Sequence, residues 1–280
     1  MNPIVRRSFS KINIGLRVLN TRTDGYHNIE TVYQELDFSD KIVFKKAADG
    51  CHITSNVNWI PVDETNTCHR AYEVLKSHFP ELGGVVIRLN KEVPVGAGLG
   101  GGSANAAVTL KTLSKIFQLD CSADELVQIG LLIGADVPFF INGGTQVGEG
   151  IGDRLTPLNN FVNGVYLLVI PSFSISTAWA YQAVKNILET SGQMSNFARF
   201  FSGEISALKI FKNDFEKIVI PAYPEIGTIK QKLLDSGAGF ASLSGSGSTV
   251  FGIFDDEATA REAESTFKPH YKTVLAHPTN

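Results

Sequence analysis

The 280-residue chain has little of what would mark a secreted scaffold, a membrane protein or a nucleic-acid binder. Its three cysteines, Cys51, Cys68 and Cys121, lie far apart without metal-ligand spacing. That argues against a zinc knuckle and a disulfide framework, and fits a reducing cytoplasm. The longest apolar run, Val165 to Ile170, is far short of a membrane span. The first residues, MNPIVRRSFSKINIGL, alternate instead of forming an apolar block, so neither a targeting segment nor a membrane partner is expected. Basic residues number 25 against 28 acidic ones, for a net charge of −3. Such a balance gives no electrostatic drive toward nucleic acid. Linker-like and low-complexity stretches are also missing. What remains is an ordinary globular composition, 43% hydrophobic and 19% charged, with room for two tightly packed domains and small-molecule chemistry. A monomer or weak homodimer is expected.

Glycine, by contrast, is concentrated in one place. The run PVGAGLGGGSANAA, Pro94 to Ala107, follows a strand-like segment, Val85 to Val93, and leads into a helical stripe of Ala106, Leu110, Leu113 and Phe117. Glycine N–H groups have no side chain in the way, and the first helical turn adds unpaired donors and the positive end of its dipole. Phosphate binding is the expected use, with Ser103 at the helix N-cap. No Walker A lysine follows the glycines. Gly96, Gly98 and Gly101 fit a dinucleotide fingerprint, but a second helix comes next where that fingerprint needs a strand. It is announced by the capping box Ser122-Ala-Asp-Glu125 and by Leu126, Ile129 and Ile133. The bland alternative is a glycine turn with no ligand.

Elsewhere, Ile12, Ile14, Leu16 and Val18 alternate with Lys11 and Asn13, which predicts a strand with one polar face. Asp24-Gly25 predicts a hairpin, Ile29 to Phe38 and Ile42 to Phe44 two further strands, and Cys68 to Phe79 a helix ended by Pro80. Later come a strand at Val165 to Ile170 and helices at Ala178 to Leu188, Phe197 to Phe211 and Ile226 to Leu234. Strands at Phe240 to Leu243 and Val250 to Phe254 flank the turn Ser244-Gly-Ser-Gly-Ser248, and a helix at Ala258 to Phe267 precedes a last strand at Thr273 to Ala276. The second half therefore reads as a split βαβ, ferredoxin-like arrangement with inserted helices. A division at residue 155 gives domains 1–155 and 156–280.

Asp136, in the apolar turn GADVPFF, is hard to explain by packing and is the candidate base, unless it merely caps a helix end. Lys11 is its candidate partner, the plainer reading being an exposed strand lysine. Tyr26-His27 suits stacking and edge-on hydrogen bonding to a heterocyclic base, or simply covers a sheet edge. The Ser244 to Ser248 turn is a candidate to close over phosphates.

These blocks together resemble the GHMP kinases over nearly the whole chain, most weakly between Gln182 and Val219. Pro94, Gly98, Leu99, Gly100, Gly101, Gly102 and Ser103 match the superfamily loop, and SLSGSGSTVFGIF resembles its third motif. SKINIGLRV, RTDGYHNIET and GADVPFF resemble the branch whose acceptor is a cytidylated sugar alcohol. The resemblance implies an α+β, two-domain fold, with an N-terminal domain like ribosomal protein S5 and a ferredoxin-like C-terminal domain. It implies a cytoplasmic, ATP-dependent kinase with Mg²⁺, phosphorylating the 2-hydroxyl of 4-diphosphocytidyl-2-C-methyl-D-erythritol in the non-mevalonate route to isoprenoid precursors. Lys11 and Asp136 then form the catalytic pair. Pro94, Val95, Gly96, Ala97, Gly98, Leu99, Gly100, Gly101, Gly102, Ser103 and Ala104 hold the nucleotide, and Asn13, Tyr26, His27 and Tyr181 hold the acceptor. Ala104 departs from relatives that carry a second serine there. No acidic residue stands out as a magnesium ligand, so the ligands stay unassigned. Mevalonate- or homoserine-type kinases, and a nucleotide-responsive module without catalysis, remain the alternatives.

Overall fold

The computed structural model describes residues 2–158, 163–184, 208 and 211–279. Its packing separates the chain into two compact units. The first takes the described residues up to Ser10, then Phe38–Val95 and Gly100–Gly143; the second takes Lys11–Asp37, Gly96–Leu99 and the described residues from Gly144 onward. Strands β1 (Ile4–Thr21) and β2 (His27–Ala47), which pair with each other, contribute to both. They are joined by the expected hairpin turn, where Gly25 has φ +85°.

β2 runs unbroken where two strands were expected. Ser39-Asp40 looks like a break in the apolar pattern, but Asp40 is fully buried with its carboxylate hydrogen-bonded inside the fold. A partnered polar group has no need to leave the ladder.

In the first unit, the end of β2 pairs antiparallel with β4 (Gly84–Asn90), Lys41 opposite Asn90, and β3 (Cys51–Ser55) lies parallel to β4. Four helices accompany these strands: α1 (Thr67–His78), α2 (Gly101–Phe117), α3 (Ala123–Leu131) and α4 (Val137–Asn142). Asn66 caps α1 by accepting from the Cys68 N–H, and the Ser122/Glu125 capping box opens α3 as its sequence predicts. The α2 stripe is buried at Ala106, Leu110 and Leu113. Each such leucine contributes about 2 kcal/mol of burial. Phe117 at the end of the helix is half-buried, under the Lys46 ammonium 4.4 Å from its ring centroid.

In the second unit, β7 (Val165–Ile170), β8 (Phe240–Leu243), β9 (Val250–Phe254) and β10 (Lys272–Ala276) form an antiparallel sheet in the order β10-β7-β9-β8. This is the expected ferredoxin-like arrangement. Every β7 residue is buried, which accounts for its unbroken apolar run. Among the described residues its helices are α5 (Thr177–Val184), α6 (Glu216–Ala222), α7 (Pro224–Asp235) and α8 (Glu257–Phe267). Val219, Ile229, Leu233 and Phe267 pack with Leu167, Val169 and Phe254 in one apolar cluster. The helix expected at Phe197 to Phe211 and the end of the one expected at Ala178 to Leu188 lie outside the described residues, apart from Leu208 and Phe211.

Two features escape the sequence pattern. β5 (Thr145–Glu149) and β6 (Arg154–Pro157) form a hairpin beside β2, with Val147 opposite Val32. Helix α6 contains Pro221, a residue that speaks against a helix.

Candidate active site

The glycine loop has a regular backbone. Gly96, Gly98 and Gly100 have φ of +70°, +78° and +68°, while Ala97 and Leu99 between them are buried. This alternation of hand is the pattern of an anion-binding nest, and it continues into the N-terminus of α2. Gly100, not Ser103, holds the N-cap position, and no side chain caps the helix. A left-handed Gly100 starts the helix three residues earlier than the serine signal implies, which places Ser103 within the first turn. The Thr67 hydroxyl donates to the Gly102 carbonyl at 2.9 Å.

The residues flanking the loop in the first unit are tied to one carboxylate. Asp40 Oδ1 accepts the N–H groups of Glu92 and Val93, at 2.8 and 2.9 Å, just before Pro94. Its Oδ2 pairs with the Lys91 ammonium and accepts from Asn105 Nδ2, on the first turns of α2, at 2.9 Å. Asn105 also receives Lys91 Nζ at 3.1 Å and donates to the Ser8 hydroxyl at 2.9 Å. All four side chains are buried. Sequence reasoning singled out none of them. The trace they leave in the sequence is a charge at Asp40, between the two strand-like stretches, and another at Lys91, just past the end of β4.

Asp136 sits in the same unit at the N-cap position of α4, yet its side chain makes no capping hydrogen bond to that helix. The α3–α4 connection is tight: a Cβ on Gly130 would meet Val137 at 2.9 Å, and one on Gly134 would lie 3.9 Å from the Ser103 hydroxyl. The turn carrying Asp136 is thus packed beside the first turn of α2.

In the second unit, the middle of the loop rests on the Ser244 to Ser248 turn. Ser244 Oγ donates to the Gly98 carbonyl at 2.8 Å and the Thr249 N–H to the Ala97 carbonyl at 3.2 Å. A Cβ on Gly98 would collide with the Ser244 carbonyl oxygen. The Lys11 N–H donates to the Leu99 carbonyl at 3.0 Å. Lys11 is not the exposed strand lysine of the plainer reading: only 4% of it is accessible. Its ammonium donates to Asn13 Oδ1 at 2.7 Å and lies 5.4 Å from the Tyr33 ring centroid. Asn13 Nδ2 donates to the Thr31 hydroxyl at 2.8 Å, which donates in turn to the Gly15 carbonyl at 2.6 Å.

His27 and Tyr181 are also brought together. Their rings stack with centroids 5.2 Å apart and 23° between planes, and Phe215 meets Tyr181 edge-on at 4.9 Å. His27 Nε2 lies 3.2 Å from the Thr21 hydroxyl. Tyr26 is 60% exposed, its N–H held by Asp24 Oδ1. The hydrogen bond from Arg22 holds the Asp24 carboxyl below its ordinary range. Among the described residues, no group of three or more His, Cys, Asp or Glu side chains is arranged to hold a metal ion.

Residues 66–144 match the family model of the GHMP kinases N-terminal domain, and residues 194–273 that of the GHMP kinases C-terminal domain. The 4-diphosphocytidyl-2-C-methyl-D-erythritol kinase of Thermodesulfovibrio yellowstonii is 39% identical over 277 residues, 96% of each chain. The kinase of the same name from Chlorobium limicola is 41% identical over 283 residues, 99% of this chain and 98% of that one. A crystal structure of 4-(cytidine 5'-diphospho)-2C-methyl-D-erythritol kinase superposes with a TM-score of 0.83 at 27% identity, covering 99% of this chain and all of that one. Methanococcus jannaschii mevalonate kinase shares the fold, with a TM-score of 0.72 at 15% identity, covering 100% of this chain and 99% of that one.

Proposed function

The chain belongs to the GHMP kinases, in the family of 4-diphosphocytidyl-2-C-methyl-D-erythritol kinases, and on that premise we propose its reaction and its working residues. It is an ATP-dependent kinase that transfers the γ-phosphoryl group in line, without a phosphoenzyme, to the 2-hydroxyl of 4-diphosphocytidyl-2-C-methyl-D-erythritol. The product feeds the non-mevalonate route to isoprenoid precursors. The observation that carries the residue assignment is the hydrogen bond from the Lys11 backbone to Leu99 of the loop, on a residue whose ammonium is buried against Asn13.

Phosphoryl transfer asks a protein mainly for position and charge compensation. The N–H groups from Gly96 to Ala104 cradle the nucleotide phosphates, with Pro94 and Val95 leading in. The backbone supplies these contacts, so Ala104 serves where relatives carry a hydroxyl. Asp136 takes the proton of the 2-hydroxyl, and Lys11, oriented by Asn13, lowers that hydroxyl's pKa and neutralises developing charge. Tyr26, His27 and Tyr181 recognise the cytosine. Mg²⁺ would come with the nucleotide, held mainly by phosphate oxygens and water, and would neutralise charge on the phosphates. We keep the domain division at 1–155 and 156–280, and the cytoplasm as its location. Among the described residues no helix is long and apolar enough to cross a membrane. We also keep the monomer or weak homodimer.

ADP release from Mg-ATP, with and without the cytidylated alcohol and with mevalonate or homoserine as rivals, tests the reaction. Release is expected with the cytidylated alcohol alone; release with a rival instead overturns the acceptor assignment. Asp136→Asn should keep nucleotide binding and lower turnover by at least ~10²-fold, the scale of a lost general base. Full activity in that variant would remove Asp136 from the mechanism.

A further inference from the structure

Residues 213–216, Asn-Asp-Phe-Glu, precede and open α6 in a region where the chain shows no motif of its own. Asn213 is 2% exposed and commits both amide hydrogens to the Ser244 turn, donating to the Leu243 carbonyl at 2.8 Å and the Gly245 carbonyl at 2.7 Å. Its Oδ1 accepts the Phe215 N–H at 3.0 Å. That turn is the one on which Gly98 rests. Asp214 grips β1 from the side: its N–H donates to the Leu16 carbonyl at 2.8 Å, and its Oδ2 accepts the Val18 N–H at 2.9 Å. Glu216 Oε1 accepts from the Ser242 hydroxyl and the Leu243 N–H, both at 3.0 Å. Phe215, 1% exposed, meets the Tyr181 ring edge-on, and Tyr181 also stacks with His27.

We infer that Asn213 and Phe215 are positioning residues with separate dependants: Asn213 sets the nucleotide loop through the Ser244 turn, and Phe215 sets the ring stack that reads the base of the acceptor. The inference rests on the proposed assignment of His27 and Tyr181 to the cytosine. Two neighbours on one short segment, joined by the bond from the Phe215 N–H to Asn213 Oδ1, therefore each bear chiefly on one of the two substrates. A residue that only stabilised the fold would move both Michaelis constants, or neither.

Steady-state kinetics of the full chain with Mg-ATP and the cytidylated alcohol provide the test, with wild type and His27→Ala as references. Asn213→Ala should raise KM for ATP about tenfold, the equivalent of ~1.4 kcal/mol, with the KM for the alcohol within about twofold. Phe215→Leu should raise the KM for the alcohol several-fold and leave that for ATP within about twofold, because it keeps apolar volume and removes the ring contact. Asn213→Ala leaves two buried carbonyls and an N–H unpaired; if it does not fold, Ser244→Ala removes only the hydroxyl bond to Gly98 and should show the same split more weakly. Equal movement of both constants in both variants overturns the inference. If His27→Ala leaves the alcohol KM unchanged, the base assignment fails; if it raises that KM and Phe215→Leu does not, the inference alone fails.

Discussion

In the first unit, the residues that flank the glycine loop are held by ions; in the second, the middle of the loop is held by amides, carbonyls and hydroxyls. Asp40 gathers two backbone N–H groups, a lysine and an asparagine around one buried carboxylate. Asn213 and Ser244 do a similar job with no formal charge. The two arrangements fail differently. Removing one partner of a buried ion pair strands the other charge, at a cost of about 3–5 kcal/mol, whereas a lost neutral partner leaves a penalty of about 1–3 kcal/mol. The charged anchor is therefore unforgiving, and the neutral brace degrades in steps.

Lys91→Met offers the sharpest way to break this comparison. It keeps most of the lysine's length, leaves the buried Asp40 side chain without its cation, and should lower unfolding free energy by about 3–5 kcal/mol in urea titrations. Adding Asp40→Asn should recover part of that loss, because the stranded charge is gone. A double variant no better than the single one would show that charge is not what the anchor depends on. Gly98→Ala comes next. The position has φ +78° and a Cβ there meets the Ser244 carbonyl, so the loop must shift. Since displacements of about 1 Å can cost 10²-fold in rate, a loss of kcat/KM of that order is expected, together with a lower melting temperature from the strained φ. Wild-type kinetics in Gly98→Ala would show that the Ser244 turn yields freely.

A smaller effect separates the units directly, because Cys51, Cys68 and Cys121 all belong to the first one. Burial pushes the Cys51 thiol up to about 12 and the Cys68 thiol up to about 11. A raised pKa keeps the group protonated below that value, so at pH 8 both are thiols and unreactive while the unit is closed. Cys121, partly buried like Cys51 but with a smaller upward push on its thiol, should label first with a thiol reagent. Lys91→Met should speed Cys68 labelling several-fold, whereas Asn213→Ala should leave it unchanged. Equal acceleration by both would mean that the anchors are not independent.

The sequence made local features legible and hid the distant ones. The capping box of α3, the hairpin at Gly25 and the strands Val165–Ile170, Phe240–Leu243 and Val250–Phe254 emerge where expected, since periodicity and turn chemistry act over a few residues. The N-cap of α2 lies at Gly100 and not at Ser103 because a left-handed glycine can open a helix without the side-chain signal that a serine carries. β2 resembles two strands in sequence because the partners of Asp40 lie more than fifty residues along the chain, at Lys91 to Val93 and Asn105, and no local pattern announces them. Lys11 and Asn13 were visible as a polar face, but not as a buried pair. Nor could spacing reveal the stack of His27 on Tyr181, which depends on the fold bringing β2 to α5.

The Asp40–Lys91 pair also has a thermal meaning. Hydration of ions becomes less favourable on heating, so the cost of keeping this carboxylate and ammonium away from water falls as temperature rises, while apolar stabilisation levels off. The ends of the loop are thereby fastened by an interaction that gains relative weight in the heat, and the neutral bonds around Asn213 carry no such compensation. Warming should loosen the glycine loop from its middle outward, with the residues beside Asp40 the last to let go.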